Sequence, residues 1–210
     1  MDKYKNFAEL KQHERKGIDY DIQIRKGSSG IAVIAPHGGG IEPGTLDIAD
    51  SVAGDEHHFY CFKGIKRSGN TDLHITSDRF DEPHGIRIVE EADFVLAVHG
   101  CSGNEEVIFI GGSDHEFKKR LLEAIVCAGF VARESSRPRL KGIKPANICN
   151  RSRTGRGGQI EISEGLREKM IDNLTSSARK GKNKVFFEVV GALRIALETC
   201  ADLETKRHRD

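Results

Sequence analysis

The sequence lacks any uncharged apolar run approaching the ~20 residues needed to cross a bilayer. Its first residues, Met1-Asp-Lys-Tyr-Lys-Asn-Phe7, lack the apolar segment of a signal peptide. We therefore expect synthesis in the cytoplasm, with access to an external substrate only after lysis. Ordered thiols are missing too: the five cysteines are an odd number and show no Cys-x-x-Cys spacing. That argues against a disulfide framework and against a thiolate zinc cluster. A strong excess of one charge is also missing, since the formal net charge is +1, so global electrostatics select no partner. Neither an internal repeat nor a low-complexity linker divides the chain. Residues 1–210 read as one domain, large enough to bury a core without disulfide or metal staples.

What is present alternates between strand and helix patterns. Tyr20–Arg25 alternates as a half-buried strand, and Ile31–Pro36 is uniformly apolar, the mark of a strand covered on both faces. A helix is expected near residues 7–16, anchored by Phe7 and Leu10, and another over Leu46–Ala53, stopping at Gly54. Strands are expected at His58–Phe62, Leu73–Thr76, 93–98, Val107–Ile110, Phe130–Arg133 and Gln159–Ser163. Helical patterns cover 115–128, with Asp114 as N-cap, then Glu164–Asn173 and Val185–Leu197. The expected fold is a single α/β domain with a mixed parallel and antiparallel twisted sheet flanked by helices.

Chemistry concentrates at strand ends. Ile31-Ala-Val-Ile-Ala-Pro-His37 delivers an imidazole into Gly-Gly-Gly, and Glu42 follows five positions later, ahead of a helix. A second apolar strand ends on His99. Ligands of open α/β sheets gather beyond the carboxyl ends of strands. Two imidazoles and one carboxylate are the protein ligands of one class of catalytic zinc site. Glu161, alternating with Ile160 and Ile162, could serve there as a general acid/base, although a half-exposed strand would show the same pattern. His74 is the strongest reserve histidine.

Competing motifs fare less well. No lysine or hydroxyl residue stands where a phosphate-binding P-loop requires it. His37-Gly-Gly-Gly with Gly100-Cys-Ser102-Gly-Asn104 approaches the oxyanion loop and nucleophile elbow of a serine esterase. Ser102, however, precedes a strand-like segment rather than a helix, and Cys101 reads as packing. Between Arg133 and Arg156 stand eight basic residues against the single acid Glu134. That stretch would suit a polyanion, and a nucleic-acid-binding protein without hydrolase activity is the alternative it raises; no aromatic interleaving supports base stacking.

Four blocks carry a resemblance: Ala35-Pro-His-Gly-Gly-Gly-Ile-Glu-Pro-Gly-Thr45, Leu73–Ser77 with Phe80-Asp-Glu-Pro83, Val98-His-Gly-Cys101, and Gly158-Gln-Ile-Glu-Ile-Ser163. Here the sequence resembles the poly-γ-glutamate hydrolase family, zinc-dependent enzymes of bacteriophages and bacilli. The resemblance implies a compact relative of the zinc carboxypeptidase fold. It also implies one zinc ion on His37, Glu42 and His99, with Glu161 catalytic. The implied substrate is poly-γ-glutamate or a related γ-glutamyl compound, cleaved internally by a monomer. The wider carboxypeptidases use His-x-x-Glu, whereas four residues separate His37 from Glu42, so the glycine loop must fold the carboxylate back. Those enzymes also place an Asn-Arg pair before the catalytic strand to hold substrate carboxylate. Asn150-Arg151 is similar, with Arg153 and Arg156 close enough to substitute.

Overall fold

Uniformly apolar segments become the middle of the sheet because only there are both faces of a strand covered. The computed structural model describes residues 2–175 and 181–207, with only the backbone described for 199–207. The strands are β1 (Tyr20–Arg25), β2 (Ile31–Gly39), β3 (His58–Gly64), β4 (Phe94–Cys101), β5 (Val107–Gly112), β6 (Val131–Glu134) and β7 (Gly157–Ser163). They form one sheet in the order β1-β3-β2-β4-β7-β5-β6. Strands β3, β2, β4 and β7 run parallel to one another, β1 joins β3 and β5 joins β7 antiparallel, and β6 lies parallel to β5, giving the mixed sheet. Parallel pairing of β4 with β7 sets His99 opposite Glu161.

Helices cover both faces: α1 (Phe7–His13), α2 (Thr45–Ala53), α3 (Pro83–Glu91), α4 (His115–Cys127), α5 (Glu164–Met170) and α6 (Lys184–Arg207). Side chains of a strand alternate between faces, and the two cores follow that parity. Val33, Ala35, Leu96, Val98, Ile160 and Ile162 pack beneath α2, α4, α5 and α6. Ala32, Ile34, Val95 and Ala97 face the other way, toward α1 and α3. His99 continues the row of Val95 and Ala97, and Glu161 with Gln159 falls opposite to Ile160 and Ile162. Three polar side chains therefore share the α1/α3 face at the carboxyl end of the parallel strands.

On parity alone His37 would join Val33 and Ala35 on the opposite face. A bulge prevents this. Ala35 pairs with Cys61 but Gly38 with Lys63, so β2 spends three steps where β3 spends two. The extra residue turns His37 onto the α1/α3 side, where its ring meets Phe80 and the Ile75 carbonyl. Pro36, which cannot donate a ladder hydrogen bond, is tolerated at such an irregularity. Gly38 returns to the Cys61 side, where a Cβ would lie 2.2 Å from the Cys61 sulfur.

Local expectations hold for Asp114, whose carboxylate accepts from Phe117 N at 2.9 Å and caps α4. Others need correction. Leu73–Thr76 is not a strand: a 3-10 turn occupies Asn70–Leu73, and the Thr76 N–H donates to the Asp2 carboxylate. Leu73 and Ile75 are buried while His74 is not fully so, so a loop draped over the core reproduces a strand's alternation. Helix α5 ends at Met170 rather than Asn173.

Candidate metal centre and its cleft

The glycine loop does fold Glu42 back. Its N–H donates to the His37 carbonyl at 2.9 Å, closing a loop over the four residues between them, and Thr45 Oγ1 donates to the Glu42 carbonyl at 2.8 Å. Glu42 Oε1 then lies 3.1 Å from His37 Nδ1, and Oε2 accepts from Gly100 N at 2.8 Å and stands 3.7 Å from His99 Nδ1. The two Nδ1 atoms are 3.1 Å apart. Each residue offers one ligand atom within 4.8 Å of the other two, and both imidazoles are 2 % exposed.

Tautomers make this cluster informative. His37 Nε2 lies 2.8 Å from the Ile75 carbonyl oxygen, which can only accept, so Nε2 carries hydrogen and a neutral His37 points an Nδ1 lone pair at Glu42 and His99. Such a lone pair and a carboxylate converging in a buried space call for a hydrogen on His99 Nδ1 or a cation between them. Two donors bound 2.0–2.1 Å from one tetrahedral ion stand roughly 3.3 Å apart, close to the observed separation. The Ile75 carbonyl is also the kind of outer partner that orients a metal-ligating imidazole. The donor set fits zinc.

Charges around the cluster are mutually adjusted. Burial would raise the Glu42 carboxyl, yet the His37 and His99 rings hold it well below the usual carboxylate range. Burial would lower His99, but its contacts with Glu42 and Glu161 raise it. Glu161 is pushed up to about 7, mainly by burial and secondarily by Glu42, against the lowering effects of His99 and Arg167. Gln159 Nε2 donates to Glu161 Oε1 at 3.2 Å, orienting it. The whole of β7 is buried, so the alternation of Glu161 with isoleucine reflects two covered faces, not a half-exposed strand.

In front lies a cleft of about 960 Å³, lined by His37, Glu42, His99 and Glu161 on its floor. His74 lies against His37, ring centroids 4.0 Å apart and planes tilted by 32°, and donates through Nδ1 to Asp2 at 2.9 Å. The His37 ring and burial depress it to about 4.

Two groups lay beyond sequence reasoning. Arg167 on α5 is 4 % exposed and donates to three carbonyls, Ile162 (3.0 Å), Pro43 (2.6 Å) and Cys101 (3.1 Å). Each carbonyl neighbours a site residue: Glu161, Glu42 or the end of the His99 strand. Gly100 makes room, because a Cβ there would stand 2.7 Å from the guanidinium carbon. Asp2 likewise had no signal, yet it ties Thr76, His74 and Arg79 together at the cleft wall.

The structure does not bring the expected arginine group to the cleft. Arg151 pairs with Glu90, Arg153 with Asp93, and Arg156 with Asp114 at 2.6 Å. Asn150 is buried and bonded to Ser113 and to the Gly142 and Lys144 carbonyls. None of the four lines the cleft. Arg139, Lys141 and Lys144 from the same basic stretch do, with Arg79. Ser102 stands in a loop leading from β4 to β5, so no strand-to-helix elbow presents it. Burial, the larger influence, and Glu161 raise the Cys101 thiol to about 11, which leaves it a poor nucleophile.

A mixed α/β sheet gathers a candidate three-ligand centre and a buried glutamate at one cleft, a donor arrangement of the kind that metal-dependent hydrolases use. The chain matches the poly-gamma-glutamate hydrolase family model over residues 4–192, and it belongs to that family. It is 35 % identical over 194 residues to the SPbeta prophage-derived protein YoqZ of Bacillus subtilis, covering 91 % of this chain and 70 % of YoqZ. YndL of the same organism is 37 % identical over 190 residues, covering 89 % and 74 %. The solved zinc-free apo form of YNDL superposes with a TM-score of 0.87 at 36 % identity, covering 94 % of this chain and 98 % of that one. A bacteriophage poly-gamma-glutamate hydrolase superposes with a TM-score of 0.92 at 28 % identity, covering 97 % and 100 %. Among the described residues no helix is long and apolar enough to cross a membrane.

Proposed function

We propose that the chain is a zinc-dependent amidohydrolase that cleaves γ-glutamyl amide bonds within poly-γ-glutamate. The observation that carries this reading is the convergence of His37 Nδ1, Glu42 and His99 Nδ1 beside the buried carboxyl of Glu161. Family membership and the zinc-free description of the YNDL structure support it. His37, Glu42 and His99 would hold the ion, which when bound supplies Lewis acidity, polarising a carbonyl and acidifying water.

The protein's own groups do the rest. Glu161 takes a proton from the attacking water and passes it to the departing amide nitrogen, the part a positioned carboxylate plays in general acid/base catalysis. Gln159 holds Oε1 still while that proton moves. Gly100 N–H and Arg167 keep the Glu42 loop and the β4 end in register.

Metal analysis followed by digestion of γ-glutamyl polymer tests the reading. One zinc per chain is expected, with hydrolysis lost on chelation and restored by zinc. Glu161→Gln should retain zinc while losing about 10²–10⁴-fold in turnover. Hydrolysis that persists after verified demetallation refutes the proposal.

A further inference from the structure

The cations of the cleft are not equivalent. Arg79 donates to Asp2 at 2.8 Å and Lys144 to Asp78 at 2.7 Å, so both are neutralised within the fold. Arg139 and Lys141 also line the cleft, are exposed, and meet no acidic partner among the described residues. Two unpaired cations one residue apart on a cleft wall form an anion site open to solvent.

Their backbone is anything but loose. The Lys141 carbonyl accepts from Gly112 N at 2.8 Å, and a Cβ on Gly111 would lie 2.6 Å from the same oxygen. Gly142, at φ +58°, lets the chain pass so close to Gln159 that a Cβ would lie 2.3 Å from its Oε1. Leu140, between the two cations, offers its carbonyl to Gln159 Nε2 at 3.1 Å. The same Nε2 donates to Glu161 Oε1 at 3.2 Å, and Gln159 Oε1 accepts from Asn147 at 3.2 Å. One buried amide thus joins the segment bearing the cations to the carboxylate proposed to move the proton.

We propose that Arg139 and Lys141 form a subsite for carboxylates of the substrate, and that Gln159 fixes this subsite in register with Glu161. The inference rests on the γ-glutamyl reading: each γ-linked residue carries a free α-carboxylate, and guanidinium matches that planar anion in a bidentate pair. Gln159 is a positioning residue, acting through Glu161. The Arg139–Lys141 pair also replaces Arg151, Arg153 and Arg156 as the anchor, since those three are committed to Glu90, Asp93 and Asp114.

Binding of a γ-linked glutamate decamer to zinc-loaded Glu161→Gln protein, measured by calorimetry over a range of salt, tests the subsite without depending on hydrolysis. Adding Arg139→Ala and Lys141→Ala should weaken binding at low salt by about tenfold for each charge-assisted hydrogen bond removed, and should flatten the salt dependence. The charge-preserving exchange Arg139→Lys with Lys141→Arg should restore most of it. The matching decamer with α-carboxamides should bind the parent weakly and lose nothing further on removal of the two cations. In otherwise wild-type protein, Gln159→Leu should lower kcat with little change in KM and shift the acid limb of the pH profile. Unaltered affinity and salt slope in the double variant would overturn the subsite, whereas polymer hydrolysis failing in wild-type protein would overturn the γ-glutamyl reading. Tighter binding of single-stranded DNA of equal charge would also overturn the subsite, in favour of a nucleic-acid partner.

Discussion

The Nδ1 atoms of His37 and His99, 62 positions apart in the chain, stand 3.1 Å from each other. Two imidazole nitrogens come this close where a hydrogen on one of them or a shared cation lies between their lone pairs. Glu42 Oε1, 3.1 Å from the same His37 nitrogen, adds a third acceptor. A cation shared by all three removes the conflict.

Metal binding should therefore depend on each of these residues. His37→Ala and His99→Ala are expected to lose at least about 100-fold in zinc affinity, since even outer partners contribute 10–100-fold. Competition with a colorimetric chelator measures this. Wild-type zinc stoichiometry in either variant at low free metal would dismiss the ligand assignment.

Demetallation should leave the fold intact. The two cores are built from fully buried side chains such as Leu96, Ile34 and Phe117, independent of the cluster. Far-ultraviolet circular dichroism of the metal-free protein should match that of the loaded form. Collapse of the signal on chelation would mean the ion is structural as well.

Glu161 predicts a pH-dependent stability in the metal-free protein. Its folded pKa of about 7 lies above the ordinary 4.5, so the folded state favours the protonated carboxyl. The associated stability is present below pH ~4.5 and lost as pH rises through about 7. Glu161→Gln, which stays neutral, should thus be more stable than wild type at pH 8 by about 3 kcal/mol and nearly equal at pH 4. Denaturant midpoints at the two pH values decide; equal differences at both would show that burial does not perturb this carboxyl.

Arg167 should act on stability and metal affinity together. Arg167→Met leaves the Ile162, Pro43 and Cys101 carbonyls without their donor, a loss on the order of 3 kcal/mol. Zinc affinity should fall with it, because Pro43 adjoins Glu42. Urea denaturation and zinc titration of Arg167→Met and Arg167→Lys test the point. A destabilised Arg167→Met with unchanged zinc affinity would limit the guanidinium to packing.

Ser102→Ala separates the esterase alternative. Ser102 is exposed in a loop between two strands, and a surface change of this kind costs within ±0.5 kcal/mol, or about twofold. Loss of all hydrolysis would reinstate the serine as nucleophile.

Much of the scaffold was legible in the sequence because strand ends, caps and covered strands leave local patterns. His37, His99 and Glu161 each close or occupy an apolar strand; neighbouring parallel strands suffice to bring His99 to Glu161, whereas His37 also needs the β2 bulge, which left no local signal. The role of the glycines near Glu42 was visible as a loop, but its closure onto the His37 carbonyl needed coordinates. The basic stretch was readable as charge and not as direction. Which of its members face the cleft depends on the acids of α3, α4 and the β4 start that take up Arg151, Arg156 and Arg153. Arg167 had no local signature, since its partners are backbone oxygens, one of them 124 positions away.

The bulge between Ala35 and Gly38 has one last implication. Coordination here is a matter of odd and even. Were Ala35, Pro36 and His37 to alternate regularly, every ligand and the strand's apolar character would remain, yet the imidazole would aim at the helices on the far layer. A local break in the strand's alternation, rather than a change of side chain, decides whether this imidazole packs inertly or stands beside the other two ligands.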